Sequence, residues 1–457
     1  MNESLALARN IVQVRYDDLP RPVVETTKKS VLDAIGVTLA AGTLGEGCRP
    51  FVELAVEEGG KRASTILGFD AKVPPAKAAF ANGSMAHALD FEDAHDRALV
   101  HPNAATLPAA LAVAESIGHV DGREFLAAMA LGSDLVCRLG LALNEDLLHY
   151  GWYMPPILGA FGATAAAGRL LRLSAEQMVD ALALTLCQAT CSAQLTQSTT
   201  SFIRSIRDAF AAQAGVQSAL LAQRGVAGFE EPIEGKAGLY QSYARGNYDP
   251  SKLTNELGET FEGGNISFKP WPSCRGTHAY IDAALQIRKE HRLPPHDVDE
   301  IHLRVSSVNR MLCEPVEAKQ RPQTAIDAKF SLPFCVATAL QHGQVTLDRF
   351  TPAALNDREV LELARRVTYE VDERLGRKDA TQGLVQISSG SAKIARQVDV
   401  PLGHPQNPIS DDALVSKFMD CAGHSVKSFS AEDLSRVAGL VLNLEQLDDI
   451  RELTEIL

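Results

Sequence analysis

ILGAFGATAAAGRLL, residues 157–171, decides the fold class. Gly, Ala and Thr sit among large aliphatics over four helical turns, and small residues let helix backbones approach closely. A second stretch of similar make, Ala181–Ala193, follows it. Together they predict a buried helical hairpin at the centre of a bundle. A membrane dimerisation motif would use the same small residues, but Arg169 and Arg172 interrupt the run and it is too short to span a bilayer.

Outward from this centre the pattern stays helical to about residue 265. Apolar residues recur at three- and four-residue spacing in Val24–Ala41, Ala76–Ala88, Thr106–Ile117 and Glu124–Leu143. The joints carry punctuation: Asn82-Gly83, Gly118, Asp121-Gly122 and Gly151. Ser174 ahead of Ala175-Glu176-Gln177 reads as a helix N-cap.

Near residue 265 the character changes. Glu262-Gly263-Gly264-Asn265 reads as a flexible joint, and the two prolines of SFKPWPSC exclude a helix interior there. A helix at Thr277–Glu290 precedes an alternating strand, Val298–Ser306. A helix at Leu332–Gln341 separates it from two further strand candidates, Val367–Val371 and Ala392–Val400. Beyond Pro405 helical spacing returns in Asp411–Ala422 and Ala431–Leu442. The expected architecture is therefore mainly α: a large all-helical domain, 1–266 with 402–457, and an inserted smaller α+β domain, 267–401.

At 457 residues the chain is long enough for two or three domains. Its net charge of −13 argues against nucleic acid as a partner, because duplex binding needs a basic face. No apolar run is long enough for a membrane span, and the N-terminal MNESLALARNIVQVRYDD lacks a signal peptide's apolar core, so the expected location is cytoplasmic. The eight cysteines form no CxxC pair and read as reduced thiols, mostly core fillers. Cys187 and Cys191, four apart on an apparent helix, are better explained by packing than by a metal.

Four constellations carry chemistry. HALDFEDAHDRALVHP, residues 87–102, packs three histidines and four carboxylates (Asp90, Glu92, Asp93 and Asp96) between bland alanine-rich flanks. Such a cluster is either a solvated loop or a set of tuned acids and bases. Tyr150-Gly151-Trp152-Tyr153 places phenols at a helix start. Arg204 and Arg207, three apart, share a helix face as a carboxylate clamp, and the hydroxyl-rich LTQSTT run (195–200) precedes them. Lys269, Arg275 and His278 bracket the proline-rich turn at the domain joint, where ligand sites tend to lie.

This set suits removal of a proton next to a carboxylate, with cations holding a polycarboxylate and its developing charge. The histidines and aspartates at 87, 90, 93, 95 and 101 could instead hold a divalent metal, but their spacing matches no dedicated motif, so no metal is expected. A GxSxG elbow, a phosphate loop and a dinucleotide fingerprint are all missing from the sequence.

The chain resembles the MmgE/PrpD family, which includes 2-methylcitrate dehydratase, cis-aconitate decarboxylase and iminodisuccinate epimerase. The likeness rests on NGSMAHALDFEDAH and HPNAATLPA (within 82–109), ILGAFGATAAAGRLLRLS (157–174), AQAGVQSALLAQRGVAG (212–228), KPWPSCRGTHAYIDAAL (269–285), DAKFSLPFCVATAL (327–340), and GHPQNPIS with KF (within 403–418). It implies a helical domain with a smaller α+β domain, a homodimer, and neither metal nor organic cofactor. It also implies that Asp90 and His101 are the active-site aspartate and histidine, and that Lys269 is the lysine at the domain joint. Two departures stand out. Tyr153 replaces a histidine found after the Gly-aromatic pair in the dehydratase and decarboxylase members, and Arg204-Ser205-Ile206-Arg207 replaces their Lys-Pro-Leu-His. A phenol is rarely basic at neutral pH, and arginine does not exchange protons.

The expected function is a cofactor-free lyase, 2-methylcitrate-dehydratase-like, abstracting a proton α to a carboxylate of a small polycarboxylic acid. Epimerisation of a compound such as iminodisuccinate and cis-aconitate-type decarboxylation are the alternatives. A non-catalytic polycarboxylate-binding protein is a third. His101 is the expected base, Tyr153 the opposing acid or second base, and Asp90 the group that orients the histidine. Arg204, Arg207, Lys269, Arg275 and His278 are the expected substrate-binding residues.

Overall fold

The Met154–Leu170 helix is buried without a break from Pro156 onward, and three other helices pack on it: Pro102–Ile117, Gly122–Leu141 and Asp208–Gln223. The computed structural model describes residues 2–198, 201–376 and 379–457. Its centre is as close-packed as the small residues require. A Cβ on Gly162 would lie 2.3 Å from Val136 Cγ2, and one on Gly215 would lie 2.5 Å from Ala163 Cβ. Backbones that near can only be joined by glycine and alanine.

The central hairpin differs from the expected one. Ser174 does cap the following helix, its hydroxyl accepting from Gln177 N at 3.2 Å, but that helix runs Ala175–Leu186 and stops. Residues 187–193 leave it for a more exposed course, so Cys187 and Cys191 share no helix face. The closer partner of the central helix is Asp208–Gln223, whose uniform alanine content gives little amphipathic signal to read. Cys48, Cys137, Cys313, Cys335 and Cys421 are buried fillers, while Cys187 is exposed.

The first part of the chain also contains a strand pair, β1 (Ser64–Ile66) with β2 (Ala71–Val73), antiparallel, so it is not all helical. At three residues each, these strands are too short to show alternation. The larger sheet has four strands: β3 (Glu300–Ser306), β4 (Val367–Asp372), β5 (Gly383–Ser389) and β6 (Ala392–Val398), in the order β4-β3-β5-β6. β3 runs parallel to β4 and antiparallel to β5, and β5 pairs antiparallel with β6. The reading from sequence lacks β5, whose glycine and serines resemble a turn. Gly383 lets the strand backbone approach Tyr280, whose ring carbons would lie 2.9 Å from an added Cβ.

Two hydrophobic clusters form. One runs from Leu7 to Phe268, takes in Leu347, and resumes from Leu414 to Leu457; the other spans Trp271 to Val398. The helices Asp411–Gly423 and Ala431–Leu442 pack on Arg21–Leu44, which explains the return of residues 414–457 to the first cluster. The expected flexible joint at 262–265 is instead a packed 3-10 turn, Glu262–Gly264, whose first N–H donates to Asp134 Oδ1 at 2.6 Å. Among the described residues no single helix is long and apolar enough to cross a membrane.

Candidate active site

Residues 88–100 connect the helices Pro75–Ala86 and Pro102–Ile117 without regular secondary structure. His87 caps the end of the first helix and His101 stands at the N-cap of the second. The loop is buried: His87, Asp90, Glu92, Asp93 and His95 are each exposed by 2% or less. That settles the choice between a solvated loop and an enclosed one. Two of its residues, Asp90 and Leu99, have positive φ, at 49° and 56°. Aspartate tolerates that region, whereas a leucine there is strained and needs its surroundings to hold it.

Three lysines from distant parts of the chain hold the loop at Asp90 and its two neighbours. Lys329 donates to the Leu89 carbonyl at 2.6 Å, Lys269 to the Asp90 carbonyl at 3.0 Å and Lys417 to the Phe91 carbonyl at 2.6 Å. Three consecutive carbonyls with no helical or sheet partners are satisfied by charge-assisted bonds. Lys269 also forms an ion pair with the Asp90 carboxylate, and Lys417 pairs with Asp33 at 2.6 Å.

The electrostatics follow from burial and these partners. Burial drives the Asp90 carboxyl upward, but Lys269, then His87 and His101, outweigh it and hold the group below its ordinary range. Glu92 is likewise pushed up by burial and brought well below the usual range by His87, Lys269 and His101. Both remain anionic. Among the described residues no cation pairs with Asp93; burial carries it up to about 7 despite the Asn103 amide donating to Oδ2 at 2.6 Å. Burial lowers Lys329 to about 8. His87 is lowered by burial first and Arg207 second, so it stays neutral.

Glu92 joins the two histidines. Its Oε1 lies 2.5 Å from His87 Nδ1 and 2.9 Å from His101 Nδ1, with the imidazole centroids 4.6 Å apart. His101 Nδ1 also faces the Asp93 carbonyl at 3.0 Å. With Nδ1 so engaged, Nε2 is the atom of His101 that can exchange a proton with a molecule beside it. His101 lines a cavity of about 170 Å³ together with Asp90, Tyr153, Arg204, Cys274 and Arg275. A wider hollow of about 680 Å³ shares Leu148, Arg204, Met311 and Phe330 with it.

The expected substrate-binding residues separate here. Arg204 lines both spaces and stacks on Phe330, its guanidinium carbon 3.5 Å from the ring centroid. Arg207 is off that wall: it lies buried against the Tyr153 ring at 4.9 Å, with its guanidinium turned back to donate to the Arg204 carbonyl. Lys269 and His278 are also off the wall, Lys269 on Asp90 and His278 against the Ser273 carbonyl at 3.2 Å. Arg275 reaches the wall, but Asp96 holds it in a two-point pair at 2.9 and 3.0 Å. Within the hydroxyl-rich run, Thr199 and Thr200 lie outside the described residues.

Sequence reasoning passed over Glu92 as supporting charge, met His87 only as a possible metal ligand, and gave no role to Lys329 or Lys417. A lysine in an apolar setting, as in Ala325–Lys329 followed by FSLPF, is the signal that could have found one of them. The metal grouping drawn from sequence also divides. His87, Asp90, Glu92 and His101 offer ligand atoms within 4.8 Å of one another, but Lys269 occupies Asp90 and Glu92 is shared by both imidazoles. Asp93 turns to Asn103, and His95 accepts from Ala98 N at 3.0 Å. An ammonium on one carboxylate and imidazoles on the other suit proton transfer better than metal ligation.

The arrangement resembles known proteins along its whole length. It is 29% identical over 485 residues to the cis-aconitate decarboxylase-like protein oryM of Aspergillus oryzae, covering 100% of this chain and 97% of that protein. It is 26% identical to the cis-aconitate decarboxylase of Aspergillus terreus, covering 96% of this chain and 93% of the relative. It is 28% identical to that of Homo sapiens, covering 100% and 94%. Models of the MmgE/PrpD N-terminal and C-terminal domains match residues 5–251 and 271–443, and the chain belongs to the MmgE/PrpD family.

Proposed function

We propose that the protein is a lyase that acts on a small polycarboxylic acid by proton transfer at carbon, and that its reaction is decarboxylation. The observation that carries this is His101 at the cavity wall, its Nδ1 held by the anionic Glu92 and its Nε2 left to work. Two of these relatives are named cis-aconitate decarboxylases and the third decarboxylase-like, which puts decarboxylation ahead of the dehydration expected from sequence.

Loss of CO2 from a carboxylate one carbon away from a C=C bond leaves an electron pair. The pair moves through the allylic system to the far alkene carbon, where one proton must be added. His101 as imidazolium gives that proton from Nε2 and becomes neutral, while Glu92 keeps its charge at Nδ1. Arg204 binds a carboxylate that is retained. Asp90, fixed by Lys269, sets the field beside His101, and Tyr153 is the second proton-transfer group on the wall. Dehydration or epimerisation would use the same two groups in another order.

The reading also carries a two-domain organisation, residues 1–266 with 402–457 and residues 267–401, which the two separate hydrophobic clusters support. A homodimer belongs to it too. It is supported by an apolar patch in which Phe51, Phe80 and the exposed Phe210 contact one another, with ring centroids 4.8 to 5.8 Å apart.

The test is incubation with cis-aconitate, 2-methylcitrate and iminodisuccinate in heavy water, followed by NMR. Release of CO2 with one deuterium entering the product is expected. Water loss or deuterium wash-in without CO2 would move the assignment to dehydration or epimerisation. No exchange with any polycarboxylate would sink the reading.

A further inference from the structure

We infer that the substrate is a dicarboxylic acid carrying an alkyl arm, in place of a bare tricarboxylate. This rests on the proposed function above and narrows it. Charge comes first. The wall carries two permanent cations, Arg204 and Arg275, against three carboxylates, Asp90, Asp96 and Asp146. Arg275 is committed to Asp96 on two hydrogen bonds, and Asp90 to Lys269. Among the described residues of the wall, Arg204 is the one arginine or lysine with no carboxylate partner, and its buried Nε has no acceptor. A trianion would bring two more charges than that guanidinium can match.

Composition comes second. Apart from His95, His101, Tyr153, Asn309 and Thr381, the rest of the wall is mostly apolar, with Leu99, Leu143, Leu147, Leu158, Met311 and Leu312 contributing to it. An unpaired carboxylate against such residues loses its hydration and gains nothing in return. A methylene chain in the same place is stabilised by leaving water. The cavity therefore matches one carboxylate on Arg204, a second at the His101 end where the chemistry occurs, and an alkyl arm along the leucines.

Equilibrium binding to the full-length protein tests this with succinate, methylsuccinate, butylsuccinate, hexylsuccinate and tricarballylate, measured by titration calorimetry. Each added methylene is expected to tighten binding about fourfold until the wall is filled. Hexylsuccinate should then bind at least about tenfold more tightly than tricarballylate. Met311→Gln and Leu148→Gln, both at half-buried positions, should flatten the dependence on chain length. Arg204→Met should weaken every member of the series. Tricarballylate binding more tightly than the alkylsuccinates, or affinities that ignore chain length, would overturn the inference and leave the polycarboxylate reading standing. Failure of every acid to bind, succinate and tricarballylate included, would remove both.

Discussion

Lys269 Nζ donates to the Asp90 carbonyl at 3.0 Å and pairs with its carboxylate, although the two residues are 179 positions apart and both are shut off from solvent. One ammonium thus does two things. It neutralises the buried carboxylate beside His101, and it fixes the backbone of a residue held at positive φ. Lys329 and Lys417 repeat the backbone part of this at the neighbouring carbonyls, so the geometry of the proton-transfer loop is imposed from outside it.

Removing one partner of that pair leaves the other charged, dry and alone. Lys269→Met should cost about 3–5 kcal/mol, read as a lowered urea midpoint at constant slope. The double variant Lys269→Met with Asp90→Asn should recover much of that loss. A Lys269→Met protein as stable as the parent would show that the pair is not buried as described.

His101→Asn and Tyr153→Phe should each lower kcat at least about 10²-fold if both groups transfer protons, with folding intact by circular dichroism. A clearly smaller loss for either would remove it from the mechanism.

Asp93 gives a pH signature. Its carboxyl titrates at about 7 in the folded chain against an ordinary 3.8, so the folded state holds an extra proton between those values. Stability should therefore fall as pH rises from 3.8 to about 7 and stay low above it. Asp93→Asn abolishes that term. Its stability relative to the parent should be higher at pH 8 than at pH 5, by at least about 1 kcal/mol in urea titrations. An equal difference at the two pH values would contradict the raised carboxyl.

Two glycines should respond in opposite directions. Gly215→Ala drives a methyl to 2.5 Å from Ala163 Cβ and 2.8 Å from its backbone carbon, so a loss of about 1–3 kcal/mol or outright misfolding is expected. Gly439 sits in the Ala431–Leu442 helix with nothing within 4 Å of an added Cβ. Gly439→Ala should stabilise by about 0.5–1 kcal/mol, measured by thermal melting.

Much of this was legible in the chain itself. The helix at Ala431–Leu442 stands where periodicity puts it, and Asp411–Ala422 lengthens by a single residue. Those helices are amphipathic, and one-sided burial writes its period into sequence. Strand β5 and the end of the Ala175–Leu186 helix were not legible, since glycine and serine serve a strand packed on Tyr280 as well as a turn. Of the site, the charge density of residues 87–102 marked the place. It did not give Glu92 its role, because an acid inside a run of acids carries no label for the one that meets both histidines.

By itself the sequence determined the helical class, the change of character near residue 265 and the set of titratable groups, because each depends on local composition or spacing. Only the tertiary structure decided that residues 88–100 are buried, that lysines 269, 329 and 417 converge on three consecutive carbonyls, and that Arg204 faces the cavity while Arg207 lies behind Tyr153. Those facts depend on desolvation and on contacts between residues far apart in the chain. A charge's burial and its partner are properties of the packed fold, which residue order alone does not express.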